Sequence, residues 1–380
     1  RSLKRFIMEE SVVTSLPESF GLLQDLVTLK MNKPLPSRRR TLADITANFN
    51  HDLPRHKELP ASFCKLSSLE EFDARACGIS GQIQDDFTKL SKLETLNFSY
   101  NDFHSIPGSM ERLCVLKKLL LCHCERLRSL PQLPSTLVEL NAADCYALES
   151  IDDLSNLEKL QELQLTNCNK IKDVPGLECL RSLRRLYVGG CHSSASSVRR
   201  RLSKAALRNL TNLGIPGTEI PDWFSREVVN VATHPNLTIK SVLVGVVVSV
   251  NVEALDDVQA QLPSIVDIQA RVIGEDEPIY KTVLNLMGVP ITPEDHLYLC
   301  RFKHYHPLVL LLREGHKIEV GRRSESASGI ELKMWGIHLV FENDDDYDGD
   351  EDLLHLSESQ QSVSQRLVGF FRRTDQSIQQ

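Results

Sequence analysis

Two thiols and an imidazole fall within three residues at Cys122-His123-Cys124, in a chain of 380 residues with ten cysteines and twelve histidines. Such a trio could be half of a metal or redox centre. Tetrahedral zinc takes paired ligands, two Cys a few residues apart with a second Cys or His pair elsewhere. Cys122 and Cys124 have no second pair in register, and Cys191-His192 repeats the arrangement alone. The trio therefore reads as a surface thiol beside a structural one, with no metal assigned. His304 and His306 place two rings on one side of an extended run, with His296 and His316 near in sequence, but no carboxylate stands at a recognisable spacing. Asp344, Asp346, Asp348 and Gly349 imitate a calcium loop, yet the twelfth place holds His355 where a bidentate Glu belongs. No catalytic set and no cofactor site is assigned, and the chain is not read as an enzyme.

The elements that must position these residues come from a repeat. Aligned on Leu-x-x-Leu-x-Leu, units begin at Leu3, Leu26, Leu69, Leu93, Leu116, Leu137, Leu160, Leu183 and Leu210. Most spacings lie in the 20–29-residue window of leucine-rich repeats. Each unit supplies a short strand and a return segment that cannot bury its leucines alone, so stacking creates the core. The expected fold is an α/β leucine-rich-repeat solenoid, a horseshoe with a parallel sheet on its concave face. Leucines at places one, four and six point inward, and the intervening residues face solvent. The 43-residue gap between Leu26 and Leu69 reads as one repeat carrying an inserted loop near 32–57.

The ninth place explains the cysteines. It holds Cys77, Asn101, Cys124, Cys145, Cys168 and Cys191 in six consecutive units. An amide or thiol there can hydrogen-bond backbone groups left unpaired where the strand turns away.

From about Phe224 the leucine period stops. Val242–Val250, Val266–Val272, His296–Phe302, Lys317–Gly321 and Ile330–Phe341 read as strands, with no run of helical periodicity. Strands without helices between them predict an all-β sandwich over 224–345, after a solenoid of about nine repeats over 1–223. Residues 346–380 read as an acidic, polar, unstructured tail. Eight acidic groups between Glu342 and Asp352 dominate the net charge of −7. The rest is near neutral and carries no footprint for nucleic acid. Arg38-Arg39-Arg40 and Arg199-Arg200-Arg201 read as solvated charge. The most apolar run, Ser241–Val252, is shorter than the roughly 20 residues that span a bilayer. With no signal segment visible, the chain is expected to be soluble and a fragment of a longer protein.

Leu213-Gly214-Ile215-Pro216-Gly217-Thr218-Glu219-Ile220-Pro221-Asp222-Trp223-Phe224-Ser225 resembles the junction between repeats and post-repeat domain in plant intracellular immune receptors of the TIR-NB-LRR class. Trp335–Asn343 resembles the closing strand of that jelly-roll-like domain. Leu16-Pro17, Leu59-Pro60 and the Cys ladder match the same family's repeats. The resemblance implies a recognition module in the cytoplasm, with the nucleus as an alternative site. Its implied partners are a pathogen effector protein and the receptor's own upstream nucleotide-binding domain. The family's NAD-cleaving TIR domain is absent from this sequence, and so is the phosphate loop of its nucleotide switch. Effector contacts are expected from Tyr100, His123, Arg126, Tyr146, Gln164, Arg185, Tyr187 and His192, because Tyr and Arg are enriched among interface hot spots. Lys4, Arg5, Glu9 and Glu10 are placed for intramolecular contact. The rival reading is an extracellular repeat ectodomain or a generic protein-binding scaffold, faintly supported by Ile79-Ser80-Gly81-Gln82-Ile83.

Overall fold

The computed structural model describes residues 2–8, 16–31, 59–83, 87–231, 238–250, 268–275, 277–284, 286–290, 292–323, 330–342 and 361–376. The expected loop near 32–57, Glu9, Glu10 and most of the acidic run lie outside them. The chain forms two compact units. Arg1–Leu183 and Cys191–Val198 build most of the first; Arg184–Gly190, Arg199–Asp256 and Gln261–Gln380 build the second.

In the first unit each repeat contributes a three-residue strand over its third to fifth places. These are β1 (Arg5–Ile7), β2 (Thr28–Lys30), β3 (Glu71–Asp73), β5 (Thr95–Asn97), β7 (Lys118–Leu120), β9 (Glu139–Asn141) and β11 (Glu162–Gln164). All pair in parallel, and like places meet throughout, as in Thr95↔Lys118↔Glu139↔Glu162. The repeat sets the register because a one-residue slip would turn every leucine outward. Leu93, Leu96, Leu116, Leu119, Leu137, Leu140, Leu160 and Leu163 are fully buried, as are sixth-place Phe98, Leu121, Ala142 and Leu165. The leucine-rich solenoid is as the period predicts.

A second small parallel sheet joins β4 (Ser80–Gln82), β6 (Asp102–Ser105), β8 (Ser129–Leu130) and β10 (Ser150–Ile151). Between the two sheets runs an aromatic chain, Phe63 to Phe72 at 4.5 Å, Phe72 to Phe98 at 5.4 Å and Phe98 to Phe103 at 6.0 Å. Pro17, Pro60 and Pro107 each precede a 3₁₀ turn, at Glu18–Leu22, Ala61–Lys65 and Gly108–Arg112. Proline lacks the N–H that such a start leaves unused, so the pairs Leu16-Pro17, Leu59-Pro60 and Ile106-Pro107 begin the return segments.

The second unit opens with β12 (Arg185–Tyr187), parallel to β13 (Asn212–Pro216). Strand β13 pairs antiparallel with β18 (His296–Lys303), which continues to β15 (Ile239–Val250) and β20 (Ile330–Phe341). The last two repeat strands thus share a sheet with strands of the later sequence. A further sheet runs β14 (Val229–Asn230), β19 (Lys317–Arg322), β16 (Ile268–Ile273), β17 (Pro278–Val283). Alternate residues of both sheets, Val242, Val244, Val246 and Val248 with Ala270, Val272, Ile318 and Val320, bury into one apolar cluster that also takes in Tyr187 and Tyr298. Gly214 makes room for these rings, since a Cβ there would lie 2.5 Å from Tyr298 Cε1.

Strand β17 was not foreseen. Its side chains are exposed or half-buried, so it carries no apolar alternation to read. The short helices α1 (Ala195–Leu202) and α2 (Pro307–Leu310) complete the region before the tail. The expectation of an unstructured tail needs correction over α3 (Val363–Gln376). Ser362 and Gln365 form a reciprocal capping box, Gln365 N–H to Ser362 Oγ at 3.3 Å and Ser362 N–H to Gln365 Oε1 at 2.8 Å. Val363, Leu367, Phe370 and Phe371 follow at helical spacing and are buried. Arg366 lies over the Trp223 ring at 5.8 Å, and Arg373 reaches Asp222 at 2.9 Å. Among the described residues no helix is long and apolar enough to cross a membrane.

Candidate functional site

Three places of the repeat shape the edge where each strand ends. At the fifth, the side-chain oxygens of Asp73, Asn97 and Asn141 accept the N–H of Arg75, Ser99 and Ala143, two residues on, at 3.0–3.1 Å. This side-chain turn halts the strand. At the eighth, Ala76, Tyr100, His123, Asp144, Asn167 and Gly190 all take left-handed backbone, φ 55° to 75°. Gly, Asn, Asp and His are the residues most often found in that region; Ala76 and Tyr100 occupy it under local strain.

The ninth place is the ladder. Each donor reaches the sixth-place carbonyl of the preceding rung: Asn101 Nδ2 to Ala74 O at 2.9 Å, Cys124 Sγ to Phe98 O at 3.3 Å, Cys145 Sγ to Leu121 O at 3.2 Å, Cys168 Sγ to Ala142 O at 3.1 Å and Cys191 Sγ to Leu165 O at 2.9 Å. Burial pushes the thiols of Cys124 and Cys191 up to about 12. They stay protonated donors, and a thiol held so far from its thiolate is chemically inert.

The eighth-place side chains form a column along one edge of the first unit. The Tyr100 and His123 rings stack at 4.5 Å with 21° between planes. His123 Nε2 lies 3.2 Å from Asp144 Oδ2. Asp144 Oδ1 accepts from Asn167 Nδ2 at 2.7 Å and from the Tyr146 hydroxyl at 3.2 Å. Asp144 is 1% exposed. Cys122 sits beside it, and its thiol, His123 nitrogen and Asp144 oxygen all lie within 4.8 Å of one another. Burial lowers the His123 pKa against the opposing pull of Asp144, so the ring is neutral at neutral pH. Burial first, then Asp144, raises Cys122 and Tyr146 well above their usual values. On the flank, Arg126 Nε pairs with Asp102 at 3.0 Å and stays half-exposed.

The structure thus brings together Tyr100, His123 and Tyr146 about Asp144, while Arg126 is paired with Asp102. Arg185 and His192 are exposed, as are Lys4 and Arg5 on and beside β1. Two expected contact residues are not on the solvent face. Gln164 is 6% exposed, and Tyr187 is 2% exposed because its ring joins the Tyr298 core beneath Gly214. Sequence reasoning missed Asp144 and Asn167, which hold the column together. Their signal was present: an Asp and an Asn at consecutive eighth places, where such residues favour left-handed backbone.

Comparison with known proteins bears on the repeats of the first unit. The family model described as Leucine Rich repeats (2 copies) matches residues 135–179, and the model Leucine Rich Repeat matches residues 92–113. A putative disease resistance protein of Arabidopsis thaliana is 31% identical over 199 residues, covering 44% of this chain and 16% of the relative. The TMV resistance protein N of Nicotiana glutinosa is 30% identical over 238 residues, covering 60% of this chain and 20% of the relative. Among solved structures, the leucine-rich-repeat ectodomain of a plant membrane receptor kinase from Arabidopsis thaliana aligns at 18% identity and a TM-score of 0.28, over 56% of this chain and 32% of that one. The matched stretches amount to a fifth or less of these two disease resistance relatives. The chain carries leucine-rich repeats over residues 92–113 and 135–179 and is similar in sequence to these plant disease resistance proteins.

Proposed function

We propose that the chain is the sensing part of a plant immune receptor and that the edge carrying the eighth-place column, with Arg126 and Tyr146 beside it, binds a pathogen effector protein. The observation that carries the reading is the convergence of Tyr100, His123, Arg126 and Tyr146 on neighbouring rungs, each exposed or half-buried and each held by a named partner. A pre-set surface of aromatic and Arg side chains loses little freedom on binding, which favours affinity. The second unit is read as the family's post-repeat β-sandwich, supported by its two sheets and common apolar cluster. Lys4 and Arg5 are read as contacts to a nucleotide-binding domain that the solenoid restrains until the effector arrives. Such a switch requires the effector to bind the released state more tightly than the restrained one. The chain is read as cytoplasmic and non-catalytic.

The test is crosslinked co-precipitation of the tagged chain from infected tissue. Arg126→Ala with Tyr146→Ala should deplete the captured pathogen proteins, whereas Lys65→Ala with Arg112→Ala, on the return turns, should not. A captured set that is identical in both variants would refute the edge column as the binding surface.

A further inference from the structure

Asp144 poses an electrostatic problem that the fold does not solve. Its carboxylate is buried, and Oδ1 is fixed by two neutral donors, Asn167 and Tyr146. Among the described residues the other oxygen, Oδ2, receives no hydrogen bond, although His123 Nε2 stands 3.2 Å away. A buried carboxylate without a countercharge is costly.

A cation between these atoms would remove the conflict. Two ligands on one tetrahedral zinc, each about 2.0–2.2 Å from the metal, stand about 3.3 Å apart. The Nε2–Oδ2 separation of 3.2 Å has that value. The Cys122 thiol completes a cluster whose ligand atoms lie within 4.8 Å of one another, and it is in no disulfide. Asn167 and Tyr146 grip the far oxygen of Asp144, the arrangement by which outer groups orient a ligating carboxylate.

We propose that Cys122, His123 and Asp144 form a zinc site on the edge of the solenoid, with a fourth position open to water or to a donor from a bound protein. A sulfur, nitrogen and oxygen set of this kind selects zinc over magnesium or calcium. On binding, the Cys122 S–H bond breaks, its proton goes to solvent and the thiolate electron pair binds the metal. His123 ligates as the neutral imidazole. A search for paired Cys and His spacings misses this site because the third ligand comes from the next rung, 22 residues beyond Cys122. The proposal stands whether or not the column binds an effector.

Cobalt titration of the purified chain tests it. The expected result is one equivalent of Co²⁺ bound with tetrahedral visible bands and a thiolate-to-cobalt charge-transfer band, displaced by Zn²⁺. Cys122→Ser should abolish the charge-transfer band, and Asn167→Ala should weaken affinity by about 10–100-fold. Cys114→Ser, an exposed thiol elsewhere, should change nothing. Failure to bind equimolar metal at micromolar concentration would overturn the site, and so would a sulfur band that survives Cys122→Ser. Melting curves of each variant show whether a lost band reflects lost fold.

Discussion

Asn101 is the one amide in a ladder of thiols, and its replacement should expose how the rungs are tied. Asn101 Oδ1 accepts the Ile79 N–H at 2.9 Å, and Nδ2 donates to Ala74 O at 2.9 Å and Phe98 O at 2.8 Å. The residue is 4% exposed, so water cannot replace these bonds freely. Asn101→Ala leaves the Ile79 N–H and the Ala74 carbonyl without partners; the Phe98 carbonyl keeps the Cys124 thiol. At about 1–3 kcal/mol for each stranded buried group, the loss is about 2–6 kcal/mol. Asn101→Cys restores the ladder donor used on the other rungs and strands only the Ile79 N–H, a loss of about 1–3 kcal/mol. Cys124→Ala alone should cost less than either, because Asn101 still donates to Phe98 O.

The decisive measurement is the double variant, Asn101→Ala with Cys124→Ala. There the Phe98 carbonyl loses both donors, so the combined loss should exceed the sum of the single losses by about 1–3 kcal/mol. Urea unfolding followed by circular dichroism supplies the four free energies, provided the transitions remain single and parallel in slope. Losses that add to within about 0.5 kcal/mol would show that the two side chains share no carbonyl in solution. Equal losses for Asn101→Ala and Asn101→Cys would refute the thiol as a ladder donor.

Two further outcomes follow from burial. Burial raises the Asp73 pKa above 3.8, with Arg75 and Lys30 only partly offsetting it, so the folded state disfavours the charged form. Its contribution to stability is fully present below the unfolded pKa and is lost as pH rises through the folded one. Asp73→Asn keeps an acceptor for the Arg75 N–H; it should stabilise the chain near pH 7 by no more than about 0.5 kcal/mol, and the gain should vanish in acid. Thermal melts across pH that run parallel for the two proteins would contradict this. Tyr187→Ala should destabilise the second unit by about 3–5 kcal/mol, the cost of emptying an aromatic core position, whereas exposed Arg185→Ala should stay within about 0.5 kcal/mol. Denaturant unfolding checks the pair, and an unchanged midpoint for Tyr187→Ala would return that ring to the solvent face.

The solenoid was legible because its signal is redundant: the same places hold leucine in unit after unit, and register follows from period. The ninth-place ladder was legible for the same reason. Tyr187 was misread because its position in the repeat says solvent, while its neighbours across β13 and β18 are more than 100 residues away in sequence from it, at Tyr298. Period carries no information about such a partner. Strand β17, with exposed side chains, left no alternation to detect. Helix α3 was different, since Ser362, Gln365 and the spacing of Leu367 and Phe371 spell a capped amphipathic helix; a polar, Gln-rich composition obscured it.

The column at the eighth place shows why repeat position and chemistry must be read together. Left-handed backbone turns each of these side chains toward the same edge, so residues 21 to 23 apart in sequence become neighbours. A solenoid therefore converts a one-dimensional series, Tyr100, His123, Asp144, Asn167, into a contiguous polar surface without any long-range folding decision beyond the stacking itself. Each rung can vary its eighth residue without disturbing the leucine core, because the backbone strain is local and the ladder bond belongs to the next residue. The same logic sets the limit on variation: Asp144 lies against His123 before it and accepts a hydrogen bond from Asn167 after it, so replacing it alters two neighbouring rungs at once. If any position of this edge governs both what the surface binds and how firmly its rungs cohere, it is Asp144.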